Sequence, residues 1–215
     1  MTSLLDNPVA WLVGYLLPGA LNTVKVTVLA FLCGVVLGLL FELTRRSGVR
    51  FLGRAVAIVV EVLRAMPPVT LLFIAYFGVT ELGLKLSPLA AGVLCLGLIE
   101  AAYATEIYRA GINAVHHGQR EAALTLGMTS LAAMRHVVLP QAVRLVIPPL
   151  TNQCVGLLKT SAAVSLIALP DLTFEAQVVT GLTFQGLKVF GLAMLVYLAL
   201  SLPLSGLARR LERTR

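Results

Sequence analysis

A chain of 215 residues has room for one or two water-soluble domains, but 58% of it is hydrophobic and only 13% charged, too few charges to cover a water-facing surface of that size. The net charge of +7 does not signal nucleic acid, because the basic residues build no face with interleaved aromatics. What remains is an all-α integral membrane protein: a spanning helix needs about 20 mostly apolar residues, and several such runs are present.

Residues 1–18 mix apolar side chains with Asp6, Asn7, Pro8 and Pro18 and read as a short interfacial helix, anchored by Trp11 and Tyr15. No basic stretch precedes the apolar residues, so no cleavable signal is expected. The first span is expected from about Leu21 to Phe41, with a GxxxG pattern at Gly34 and Gly38 that permits close helix crossing. The second runs from about Ala55 to Val79 and is broken at Pro67-Pro68, where two backbone donors are missing. Carbonyls freed within a bilayer persist only when buried in protein or lining a cavity, which turns this break inward. Just before it, Glu61 and Arg64 share a helix face and read either as an ion pair or as part of a substrate path.

The third span is expected from about Leu89 to Tyr108. Glu100 lies midway along it, where a charge costs roughly 2.5 kcal/mol or more, so it should face other helices or water. Glu106 stands three residues from Arg109 and reads as its ion-pair partner. The fourth span, from about Gln141 to Leu158, should be interrupted at Pro148-Pro149. Asn152 and Gln153, with Lys159 further along, form a second polar cluster that serves either helix contacts or a substrate path. Residues 162–186 read as a loop with partial helix, and a last span from about Leu187 to Leu207 leads to a basic tail.

The basic residues are sorted by loop. Arg45, Arg46, Arg50 and Arg54 follow the first span; Arg109, Arg120, Arg135 and Arg144 follow the third; Arg209, Arg210, Arg213 and Arg215 close the chain. The positive-inside rule puts all three clusters in the cytoplasm, which gives about five spans with the N-terminus outside and the C-terminus inside. Cys33, Cys95 and Cys154 each sit in an apolar run with no disulfide or metal-ligand spacing, and read as buried small hydrophobes. His116 and His117 read as solvated loop residues. No nucleophile, base and oxyanion set supports an enzyme, and Gly156 to Ser161 lacks the spacing of a phosphate-binding loop. No metal, cofactor or nucleic-acid partner is expected.

Between the third and fourth spans lies a polar island. A helix could start near Gln119 and stop at Gly127, which readily takes the left-handed conformation. Thr129 or Ser130 could cap a second helix, closed by Pro140. Small Ala122 and Ala123 permit close approach of another surface, so the island is either a docking element or an ordinary loop.

Glu121-Ala122-Ala123, Gly127 and Leu139-Pro140 at this spacing resemble the EAA signature of bacterial ABC importer permeases, with Val137 at the usual Ile. Glu61-Val62-Leu63-Arg64-Ala65-Met66-Pro67, the Ala101 to Gly111 stretch, Gly118-Gln119-Arg120-Glu121-Ala122-Ala123, Pro148 to Gln153 and Leu157-Leu158-Lys159 resemble segments of the polar amino-acid branch of that family, of histidine, glutamine and arginine type. Two departures stand out: Ala65-Met66 replaces Gly-Thr, and Lys159-Thr160-Ser161-Ala162 replaces Lys-Asp-Thr-Ser. The resemblance implies a type I permease fold over about residues 19–208, with the coupling region at 118–140 and a basic tail at 209–215. It also implies ATPase subunits docked on the island, a second permease copy or a sister permease, and an extracytoplasmic amino-acid-binding protein, all at the bacterial inner membrane. The competing reading is a secondary transporter driven by ions through Glu100, acting without an ATPase.

Overall fold

The structure, a computed structural model, describes residues 7–81 and 83–213. Asp6 and Arg215, named above, lie outside them. Among these described residues eight helical elements follow one another: α1 (Pro8–Arg46), α2 (Arg50–Ala65), α3 (Pro68–Glu81), α4 (Pro88–Asn113), α5 (His117–Thr125), α6 (Ser130–Ile167), α7 (Leu172–Thr183) and α8 (Gly186–Arg213). Among the described residues four helices, α1, α4, α6 and α8, are long and apolar enough to cross a bilayer, and the pair α2–α3 makes a fifth span if it is counted as one.

The five expected spans are there, but three of the expected breaks are not. Pro18 does not separate an interfacial helix from the first span: α1 runs unbroken for 39 residues. A π turn at Leu12–Leu16, in which the Leu17 amide reaches the Leu12 carbonyl, lies directly before the proline. The wider turn gives the proline ring room against the preceding turn of backbone. The same device recurs at Pro140, which does not close the island's second helix. A π turn at Met134–Val138, with the Leu139 amide on the Met134 carbonyl, carries α6 straight into the fourth span. The side chain of Gln141 donates to the Val137 carbonyl at 2.9 Å, supplying a side-chain donor within this wider turn. Nor do Pro148 and Pro149 interrupt α6. Pro148 is buried and α6 is held between α4 and α8, so packing carries the rod past the missing donors.

Pro67 breaks the second span as expected, but the break is not turned inward: Ala65, Met66 and Pro67 are all exposed. Met66 and Pro67 are extended, as a residue before proline prefers, and α2 meets α3 at 106°. The second span is an elbow rather than a kinked rod.

The hub is α4, which packs against α1, α2, α3 and α6. Its crossing with α1 is close, because a Cβ on Gly34 or Gly38 would collide with Glu100, Ala101 or Ala104. Small residues let the backbones approach, and polar side chains then bridge them: Thr105 donates to the Gly38 carbonyl at 3.2 Å and Tyr108 to the Val35 carbonyl at 3.1 Å.

At the end of α1 opposite Arg45 and Arg46, a polar clasp joins α1, α7 and α8. Thr23 accepts the Leu172 amide at 3.0 Å, and Asn22 donates to the Pro170 carbonyl at 2.9 Å. Fully buried Asp171 caps α7 by accepting the Phe174 amide at 2.9 Å, and the Tyr197 hydroxyl donates to its other oxygen at 3.5 Å. Burial pushes the Asp171 carboxyl up to about 6 against these hydrogen bonds. Trp11 is not an interface anchor: it is buried with Leu16, Leu172 and Val189 in the apolar cluster beside the clasp. Of the cysteines, Cys95 is buried and Cys154 half-buried, whereas Cys33 is exposed, contrary to its reading as a buried hydrophobe.

Candidate functional site

Two features stand apart from the apolar body. The first is the polar appendix formed by α5 and the first turns of α6. His116, read above as a solvated loop residue, helps to shape it, because its Nδ1 accepts the Gly118 amide at 3.1 Å and caps α5. Gly127 takes φ +85°, and the amides of Gly127 and Met128 return to the carbonyls of Leu124 and Ala123 at 3.0 and 3.1 Å, which ends α5. Thr129 caps α6 by accepting the Ala132 amide at 3.2 Å. Ala123 is buried and seats the appendix, while Glu121 points outward and pairs with His117 at 3.1 Å. The turn between the helices leaves Leu126 85% and Leu131 78% exposed, with Leu124 and Met128 beside them. Leu139 and Pro140 are exposed on α6. Exposed apolar side chains on a polar turn that also exposes Arg120, Glu121 and Arg135 are the composition of an interaction surface.

The second feature is a cavity of about 440 Å³ between α2, α4 and α6, whose wall includes Arg64, Tyr103, Glu106, Gly111, Pro149 and Gln153. The closeness of α4 and α6 here depends on Gly111, where a Cβ would collide with Val146. Glu106 is already engaged, by Arg45 at 2.7 Å and by Arg109 at 2.6 Å, which realises and extends the expected ion pair. Arg64 is not so engaged: its guanidinium lies 5.7 Å from the centre of the Tyr103 ring, and the nearest Glu61 oxygen is 4.0 Å away on a side chain that is itself 80% exposed. A half-exposed guanidinium whose carboxylate contact among the described residues is this loose one to Glu61 is suited to an anionic group such as a carboxylate.

Of the residues singled out in the sequence, Arg64 and Gln153 therefore meet in one cavity. Glu100 is buried and does not line the cavity. Glu61 sits at the edge, and Asn152 and Lys159 are exposed on α6 outside the cavity wall. Tyr103 was missed; its spacing from Glu106, one helical turn, is the signal that would have found it. A larger cavity of about 750 Å³, between α1 and α8, is lined by aliphatic residues such as Leu21, Val24 and Leu195 and offers a polar ligand nothing to bond.

A bundle of apolar helices around a small polar cavity, with a capped polar appendix at its Arg-rich end, is the build of a multi-pass transport subunit. Residues 34–215 match the family model described as the binding-protein-dependent transport system inner membrane component, and the chain belongs to that family. It is similar to the probable glutamine ABC transporter permease protein GlnP of Bacillus subtilis, 34% identical over 92% of each chain, and to the arginine ABC transporter permease protein ArtQ of Haemophilus influenzae, 36% identical over 90% of each. Among solved structures it resembles an amino acid ABC transporter crystallised with histidines, with a TM-score of 0.90, 36% identity, and coverage of 93% of this chain and 94% of that one. The MetNI methionine ABC transporter shares the fold, with a TM-score of 0.75 at 21% identity over 94% and 97% of the two chains. The chain is thus an inner-membrane, multi-pass ABC importer permease with the type I fold, and the ion-coupled secondary transporter is set aside.

Proposed function

We propose that this permease imports a polar amino acid, with ATPase subunits docked on the appendix at 118–140 and the arginine-rich ends of α1, α4 and α8 in the cytoplasm. The permease body is residues 19–208, followed by the basic tail at 209–215. ATP hydrolysis belongs to the partner chains, and an extracytoplasmic binding protein delivers the amino acid to the clasp end. A second permease copy or a sister permease completes the path.

The observation that carries this reading is the pair of exposed leucines, Leu126 and Leu131, held on a tightly capped polar turn. A solvated loop has no use for that combination; a groove on another protein does. Because α6 is continuous from Ser130 to Ile167, displacement of the appendix moves Gln153 directly, as a rod moves its far end. The elbow between α2 and α3 lets Arg64 shift relative to α4 and α6. Loaded binding protein and ATP drive the cycle only by favouring one conformer over the other. The relatives named for glutamine and arginine, and the half-exposed Arg64 that suits a carboxylate, support an amino-acid cargo.

Co-expression with the ATPase subunit tests docking. Glu121→Lys reverses a charge exposed on the same polar turn and is expected to abolish co-purification while membrane insertion is retained. Undiminished co-purification would refute the docking assignment.

A further inference from the structure

A smaller cavity, of about 330 Å³, lies where the appendix joins the body. Its wall takes in Arg46 at the end of α1, Asn113 at the end of α4, His116, His117 and Arg120 at the start of α5, and Val138 of α6. The transport reading gives this space no task.

The polar side chains on the wall hold one another in place. Arg46 donates through Nε to the buried carboxylate of Glu42 and through Nη2 to Asn113 Oδ1 at 3.1 Å, while its Nη1 has no acceptor among the described residues. With Oδ1 occupied, Asn113 keeps the hydrogens of its Nδ2. His116 accepts the Gly118 amide at Nδ1, 3.1 Å away, which leaves its hydrogen on Nε2. His117 is held by Glu121 at 3.1 Å. Arg120 has neither a hydrogen bond nor an ion pair among the described residues. Asn113 and His116 have thus spent their acceptors inside the protein, and donors from α1, α4 and the start of α5 are left over. Glu42 balances Arg46, but nothing balances Arg120, and the N-terminus of nine-residue α5 adds the positive end of its dipole. Donors from three elements with one uncompensated guanidinium suit a phosphate, whose oxygens accept from several directions at once.

The place of the cavity favours one source of phosphate. Arg46 and Asn113 end two spanning helices, at the level where such helices leave the bilayer and headgroups stand. On α1, Leu32, Val36, Leu39 and Leu43 precede Arg46 at intervals of one helical turn and are all exposed, an apolar track that runs from the cavity toward the bilayer centre. A soluble anion has no use for that track; an acyl chain does. We propose that the cavity holds the phosphate of an anionic phospholipid, which bridges Arg46 of the body and Arg120 of the appendix. Basic pockets between spanning helices at the cytoplasmic surface take such headgroups. The bridge steadies the appendix against α1, so the angle at which it is presented depends on the surrounding membrane. From the transport reading the inference takes only the cytoplasmic placing of the arginine-rich ends.

The test is native mass spectrometry of the purified full-length permease in neutral detergent, titrated with phosphatidylglycerol, phosphatidylcholine or inorganic phosphate. The first phosphatidylglycerol should bind roughly tenfold more tightly than phosphatidylcholine, and Arg120→Ala should remove roughly that factor, the size of one lost charge-assisted hydrogen bond. Arg120 is exposed and bonded to nothing in the protein, so its loss should leave the thermal midpoint unchanged. Arg46→Lys, which keeps the charge beside Glu42 but loses the fork, should weaken binding as well. Arg54→Ala removes the same charge from an exposed site on α2 outside the cavity and should stay within about twofold of the unaltered protein. No preference for phosphatidylglycerol, or equal losses in Arg120→Ala and Arg54→Ala, would reduce the effect to diffuse surface charge and overturn the proposal. Displacement of the lipid by an equal concentration of inorganic phosphate would make this a soluble-anion site and overturn the lipid assignment. Arg120→Ala that keeps lipid binding but loses ATPase co-purification would give the cavity to the partner protein instead. None of these results touches the transport reading, which stands or falls on the docking and sidedness of the appendix.

Discussion

Raising the pH from about 5 to about 8 is expected to loosen α7 from α1 and α8, through Asp171. Its carboxyl is fully enclosed in the clasp, and burial pushes it from the ordinary value of 3.8 up to about 6, opposed by the amides of Phe174 and Thr173 and the hydroxyl of Tyr197. The docked form therefore holds the proton more tightly than the detached form, in which Asp171 meets water. The resulting stability is fully present below 3.8 and is lost as the pH rises through about 6. Across that experimental range the loss works out at about 1.4 kcal/mol, a tenfold rise in the detached population. Hydrogen exchange of the α7 amides, corrected for the intrinsic pH dependence of exchange, measures this population directly. In Asp171→Asn the pH-dependent part should vanish, because the amide has no proton to lose in this range. Equal pH dependence in the two proteins would refute the reasoning.

The helix crossings and the end of α7 give further expectations. Gly111→Leu forces a side chain into Val146 and should destabilise the α4–α6 crossing by about 1–3 kcal/mol, lowering the thermal midpoint of the purified protein; Val146→Ala in the same chain should recover part of the loss. Phe184 ends α7 at φ +56° with 91% of its surface exposed, so Phe184→Gly should release roughly 1 kcal/mol of backbone strain and raise the midpoint, and a lowered midpoint would show that the ring has a partner.

The number of spans, the break at Pro67 and the appendix were legible in the sequence because each has a local cause: a run of apolar residues, the missing donors of a proline pair, or a capping residue followed by a glycine. The continuity of α1 and α6 was not. Pro18 and Pro140 read as stops because proline excludes an α-helical hydrogen bond, and nothing in the residue types announces that a π turn precedes each of them. The clasp at Asp171 was hidden for a different reason. Its partners Thr23 and Tyr197 lie far away in sequence, in segments that read as apolar spans, so the burial of an aspartate in an expected loop had no local sign. At the cavity, Arg64 and Gln153 were found as polar residues beside proline pairs, but the sequence could not show that Asn152, next to Gln153, faces away, or that Glu100 does not line it.

Cysteine cross-linking at the appendix tests the central claim most directly. In a background with Cys33→Ala, Cys95→Ala and Cys154→Ala, Leu131→Cys should react with a membrane-impermeant maleimide in inverted vesicles and not in right-side-out ones. It should also become protected, or cross-linked, when the ATPase subunit is bound. Labelling from the outside, or labelling from the inside that the ATPase leaves untouched, would contradict a permease driven through this turn.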